Sequence, residues 1–201
     1  LGSQRYYDLG AASSFSVKYE EQEAYAVLPH NVHSQRLPLL KSIRQSMSAH
    51  ASEHFPSGVI GVYPCEKDTA VAIVLASNKY SPQNFWNGRW RSQYIYSPAN
   101  SNLTGSIRID VHYYEDGNVR LLTEKPISVS LSSSAGPEEI VRHIALLERK
   151  YQEEVNRTFS TLSEGAFKGL RRQLPITRQK IDWEKISSYR LGQDIGGGRS
   201  K

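Results

Sequence analysis

Cysteine is almost missing from this chain. Cys65 stands alone, which excludes an internal disulfide framework and leads us to expect a reducing compartment, the cytosol. Long apolar runs are missing too. No stretch approaches the roughly 18 residues that cross a bilayer as a helix, and the opening "LGSQRYYDLG" has neither the charged nor the apolar region of a secretory signal. An initiator Met is also lacking, as in a fragment of a longer protein. There is no Gly-rich strand-to-helix turn, no G-x-S-x-G elbow and no P-loop, so the common nucleotide and acyl-transfer chemistries have no foothold. The glycines of "IGGGR" follow no strand and precede no helix, and read as a tail. With 201 residues, 38% apolar and 22% charged, the chain suits one soluble globular domain.

Charge is present but unevenly placed. Residues 167–201 hold nine Lys/Arg against three acids, leaving 16 of the 25 cations and 17 of the 20 acids in residues 1–166. The net charge of +5 is therefore a property of a C-terminal arm on a slightly acidic body. A localised charge of this kind calls for an acidic partner docking at that end.

Residues 1–35 are weakly patterned, with one strand expected around Phe15–Tyr19. Residues 36–132 read as a helix followed by an antiparallel sheet. "RLPLLKSIRQSMSAHASEHF" carries Leu39, Ile43, Met47 and Ala51 four apart, and "FPSG" stops it. "GVIGVYP" and "TAVAIVLA" flank a turn at "CEKD", and the apolar run Val71–Ala76 suggests burial on both faces. "GRWRSQYIY" is an aromatic-rich strand. In "SIRIDVHYY", Ile107, Ile109, Val111 and Tyr113 alternate with Arg108, Asp110 and His112. A loop at "EDGN" keeps Val119 and Leu121 on the face of Val111 and Tyr113 as the chain turns into "VRLLTEK", and "PISVSLS" continues the meander. Residues 133–175 form one long helix. It opens at Gly136-Pro137-Glu138-Glu139, with Pro at N1 and acids against the dipole, and its stripe (Ile140, Ile144, Leu147, Tyr151, Val155 onward) runs until Pro175. From 137 to 174 it spans about 57 Å. Strands of about 20 Å each offer too little surface to cover it, which points to a partner subunit. In residues 176–201, Ile176, Trp183, Ile186 and Tyr189 share one helical arc that nothing later in the chain can bury.

"HASEH" (His50–His54) matches the H-x-x-E-H zinc pattern loosely, but the helix ends at once at Phe55-Pro56, so both histidines are expected at the surface or rim. "HNVH" (His30, His33) is weaker still, and Cys65 has no context as a nucleophile. "NFWNGRWRSQY" interleaves Trp86 and Trp90 with Arg89 and Arg91, as a single-stranded nucleic-acid platform would. The alternation Trp90, Ser92, Tyr94, Tyr96 favours core packing, with the arginines paired to acids across the sheet. A body that is slightly acidic argues against nucleic acid as well. In the arm, Lys168, Arg171, Arg172 and Arg178 exceed what a helix dipole needs.

Three blocks, "NFWNGRWRS" (84–92), "VHYYEDGNV" (111–119) and "FKGLRRQLPITRQKIDWEKISSYRLG" (167–192), resemble the alpha subunit of the F-actin capping protein. The likeness covers the chain from about Phe15 to Gly192. It implies an α+β fold: an antiparallel meander sheet completed by a beta subunit of similar fold, one long C-terminal helix across the joint sheet, and an amphipathic C-terminal tentacle. It also implies a cytoplasmic protein of the cortical actin cytoskeleton that binds filament barbed ends and blocks subunit addition and loss, with no reaction and no cofactor. By the same resemblance, the actin-binding residues are Lys168, Arg171, Arg172, Arg178, Lys180, Trp183, Ile186 and Tyr189. Phosphoinositides compete for the basic surface and inhibitor proteins bind elsewhere. The family's N-terminal helical stalk is expected to precede the start of this sequence. The alternatives from the residues alone are a basic single-stranded nucleic-acid-binding module and an anionic-membrane-binding module.

Overall fold

The computed structural model describes residues 5–30, 36–65, 69–114 and 118–164. A small antiparallel sheet comes first, β1 (Tyr6–Asp8), β2 (Ser13–Lys18) and β3 (Glu23–Pro29) in that order. Helix α1 (Leu37–His54) follows. Then come β4 (Val59–Cys65), β5 (Ala70–Ser81), a 3-10 turn (Pro82–Asn84), β6 (Trp86–Ser97), β7 (Asn102–Tyr113) and β8 (Val119–Ser130), and the described chain ends with α2 (Pro137–Glu164). Strands β4 to β8 form one five-stranded antiparallel meander in chain order. The small sheet exceeds the single strand expected near Phe15. Its short strands carry little apolar alternation, and a bulge at Ser14–Ser16 interrupts the pairing of β2 with β3.

Pro38 sits in the first turn of α1, where its missing N–H is not needed. The inward face is Leu40, Ile43, Met47, His50 and Ala51, with Leu39 only half-buried at its margin. The face is turned toward Leu40 because α1 packs against α2 and β4 together. In β6 the expected alternation holds: Trp86, Trp90, Ser92, Tyr94 and Tyr96 all point into the core. So do Ile107, Ile109, Val111 and Tyr113 of β7. The β7–β8 register pairs Tyr113 with Val119 and Val111 with Leu121, the same-face relation that the sequence implies. Gly105, opposite Tyr94, is required by close approach: a Cβ there would collide with the Gln93 carbonyl.

One expectation is corrected. Val71, Ile73 and Leu75 of β5 are buried, but Ala72, Val74 and Ala76 on the opposite face are only half-buried. Both helices lie on one side of the sheet, and among the described residues no layer covers the other.

Candidate functional site

The residues that position α2 also define the edge beside it. Glu148 lies four residues after Ile144 on the apolar stripe, and its side chain is 1% exposed. Three donors surround the carboxylate: His50 Nε2 at 2.8 Å from Oε2, Ser92 Oγ at 2.6 Å and Tyr94 OH at 3.0 Å from Oε1. Burial first, then the charge of Glu148, pushes the Tyr94 phenol far up, so it stays a donor. One buried charge thus joins α1, β6 and α2. Removing it would strand three polar groups, a change that destabilises by several kcal/mol, about 3 or more. His50 is therefore a buried structural residue and not a surface or rim histidine, because its helix turn faces Glu148 instead of solvent. Its ring meets His54 edge-on at 4.9 Å. Among the described residues, no three His, Cys, Asp or Glu side chains come close enough to hold a metal ion.

From Glu148 the helix moves outward across the sheet. Tyr151 packs on Trp90 of β6 and shares a hydrogen bond of 2.9 Å with Thr123 of β8. Glu154 pairs with Lys125 of β8, and that contact, ahead of neighbouring cations, holds its carboxyl below the usual range. Six residues, about 9 Å of helix, carry α2 across two strand spacings of about 4.8 Å each. It therefore runs across the strands from β6 to β8 and not along them. The helix continues to Glu164, ten residues past the β8 contact and about 15 Å farther. Strand β8 is the last of the sheet. The outer turns of α2 thus extend past the edge of their own sheet.

The uncovered face of the sheet is basic. Arg89 and Arg91 of β6, Arg108 of β7 and Arg120 of β8 lie there with Asp110 and Glu124. Arg120 grips Asp110 with two bonds of 2.9 Å. That bond, with Arg89 and Arg108 nearby, lowers the Asp110 carboxyl. Arg91 is held by the Ser77 and Trp90 carbonyls and by Asn78, not by an acid as the sequence suggested. Partial burial, then the charge of Arg89, lowers its pKa. Trp86 and Trp90 point the other way, into the core, so the arginines have no exposed Trp partner on this face for stacking bases.

Lys168, Arg171, Arg172, Arg178, Lys180, Trp183, Ile186 and Tyr189 lie outside the described residues, as does the stretch 165–174 that the sequence assigns to the long helix. What sequence reasoning missed is the Glu148–His50 pair. A faint signal existed: a carboxylate standing on an apolar helix stripe and a histidine three residues after Met47 on another.

Comparison with known proteins identifies the family. A family model described as F-actin capping protein alpha subunit matches residues 1–194. The F-actin-capping protein subunit alpha of Neurospora crassa is 57% identical over the whole chain, which spans 73% of that protein. Those of Gibberella zeae and Chaetomium thermophilum are 55% and 53% identical with the same coverage. Among solved structures, the homodimeric actin capping protein alpha subunit from Plasmodium berghei shares the fold, with a TM-score of 0.64 at 17% identity, over 87% of this chain and 71% of that one. By its sequence along nearly its whole length, the chain belongs to the F-actin capping protein alpha subunit family.

Proposed function

We propose that this chain is the alpha subunit of a heterodimeric capping protein that binds the barbed ends of actin filaments and blocks subunit addition and loss. Family membership over residues 1–194 carries the reading. The geometry supports the assembly it needs. A beta subunit of similar fold adds its sheet at the β8 edge, and the outer turns of α2 then rest on that second sheet, covering apolar surface on both sides.

The arm beyond residue 164 supplies the grip. Lys168, Arg171, Arg172, Arg178 and Lys180 steer the complex to the acidic barbed end, and Trp183, Ile186 and Tyr189 slow its departure. Charges at the rim of an interface act mainly on association rate, while buried aromatic anchors set dissociation. Acidic phosphoinositides compete for the same cations, and inhibitor proteins bind elsewhere on the heterodimer. The protein acts in the cytoplasm, at the cortical actin cytoskeleton, without cofactor or reaction.

Co-expression with a beta subunit followed by pyrene-actin elongation tests this. The complex should stop barbed-end growth. Reversing Arg171 and Arg172 to Glu should slow capping, more so at low salt. A double reversal that caps at the wild-type rate would remove the steering role.

A further inference from the structure

Two of the sequence blocks that carry the family resemblance, 84–92 and 111–119, are not used by the proposed actin grip, yet the fold brings them together. Strand β6 lies beside β7 with Asn87 opposite His112 and Arg89 opposite Asp110, and His112 lies opposite Arg120 of β8. These residues stand on the uncovered face of the sheet. With Asn118 they line an open cleft of about 600 Å³, a volume within the range of ligand sites.

The groups in the cleft differ in what they still have to bind. Arg120 is committed to Asp110 by two bonds of 2.9 Å, and His112 Nε2 is bonded to Asn118 Oδ1. Arg89 faces Asp110 in the register, but among the described residues it forms no ion pair, because Arg120 holds that carboxylate. Asn87 Oδ1 is buried and accepts no hydrogen bond from the described residues. A buried acceptor left unpaired calls for an explanation. The oxygen and nitrogen of an amide have nearly the same shape, so turning the amide over offers that oxygen to the cleft without breaking a bond to it.

Beside His112 lies an apolar ledge. Phe85 is 41% exposed and holds a left-handed backbone with φ 56°. That conformation is strained for a bulky residue, and such strain collects at binding sites. The Phe85 carbonyl accepts the Tyr114 N–H at 2.8 Å, and the two rings meet edge-on at 6.1 Å. Tyr114 in turn lies 5.4 Å from the His112 ring.

Charge sets the class of ligand. The lining holds two guanidiniums against one carboxylate, a single net positive charge. That suits one carboxylate, whereas a nucleotide or a phosphoinositide headgroup carries several negative charges and requires more cations. The unpaired amide calls for an N–H donor next to the carboxylate, and the ledge calls for an apolar side chain. An acidic stretch of polypeptide supplies all three. We propose that this cleft binds an acidic segment of a partner protein, with an Asp or Glu carboxylate on Arg89, a backbone N–H on Asn87 and an apolar side chain against Phe85 and Tyr114. The chain's own C-terminal arm, with nine cations against three acids, has the wrong sign to fill it.

Amide chemical shifts of the full chain test this, with N-acetyl-leucyl-aspartyl-leucyl amide as the probe and its asparaginyl analogue as the neutral control. The acidic peptide should give saturable shifts at Arg89, His112 and Tyr114. Binding should weaken by about tenfold in Arg89→Gln, and the neutral analogue should bind wild type no better than that. Phe85→Gly should also weaken binding while keeping the fold, since glycine accepts the left-handed angle. Thermal melts confirm that both variants fold. The same titration on the complex with a beta subunit should move the same amides. The assignment is overturned if the two peptides bind alike, if no shift saturates, or if the shifts vanish in the complex. Inorganic phosphate or ATP moving these amides at lower concentration than the peptide would overturn it too. None of these results touches the capping reading, which barbed-end elongation tests separately.

Discussion

The two sheets of this protein are held by different means. In the five-stranded sheet, two helices lie on one face and seal Trp90, Tyr94, Ile107 and Ile109 from solvent. Among the described residues the three-stranded sheet has less cover: every residue of β3 is exposed, in β2 only Ser16 is buried, and Tyr7 of β1 reaches the core. Its strands are tied by backbone bonds and by Arg5, whose guanidinium donates to the Ser14 and Ala26 carbonyls at 2.8 Å. Ala12, Gln22 and Ala26 hold left-handed backbone angles, φ of 47°, 55° and 49°, a conformation that disfavours side chains. The contrast teaches that hydrogen-bonded strands alone confer little stability. A layer of side chains behind them supplies it, and the less covered sheet should open first.

The sharpest way to break the contrast is to hollow the covered sheet. Trp90 is fully buried and touches both Phe55 and Tyr151. Trp90→Ala should destabilise the protein by about 3–5 kcal/mol in denaturant unfolding. A loss below about 1 kcal/mol would mean that the helix layer does not hold this sheet.

A smaller effect is expected at the open face, where Asp110 is ionised under the influence of Arg120. Its folded pKa is depressed, so its contribution is present above the ordinary carboxylate range near 4 and is lost as pH falls through the lower folded value. Because Arg120 is largely exposed, solvent screening keeps that contribution small. Melting curves of Asp110→Asn should lie below wild type at pH 7 and converge with it in acid. A gap that widens as the pH drops would reverse the assigned sign.

The least change is expected in the uncovered sheet. Val27 is 58% exposed on β3. Val27→Ser should alter global stability by no more than about 0.5 kcal/mol, and amide exchange in β2 and β3 should be fast relative to β6 and β7. Slow exchange there would show that the small sheet has protection of its own.

Much of the larger sheet was legible in advance because its cues are local. Pro38 and "FPSG" bracket α1, period-two alternation marks β6 and β7, and Pro137 with two glutamates opens α2. The small sheet was not, since bulges and left-handed residues erase its alternation. Nor was the depth of His50 and Glu148. Both stand on helix faces otherwise apolar, and each reads as a polar interruption until the other is placed opposite it. The basic arm was conspicuous as a run of cations.

The amino-acid order alone determined the helix starts, the strands of the larger sheet and their meander order, the family and the concentration of charge at the C-terminal end, because propensity, period and capping act over a few residues. Only the tertiary structure decided which face of the sheet is covered, that a buried carboxylate joins two helices to β6, and that α2 runs past an open strand edge. Those depend on groups about a hundred residues apart along the chain meeting in a medium that water does not reach, and no local pattern encodes that distance.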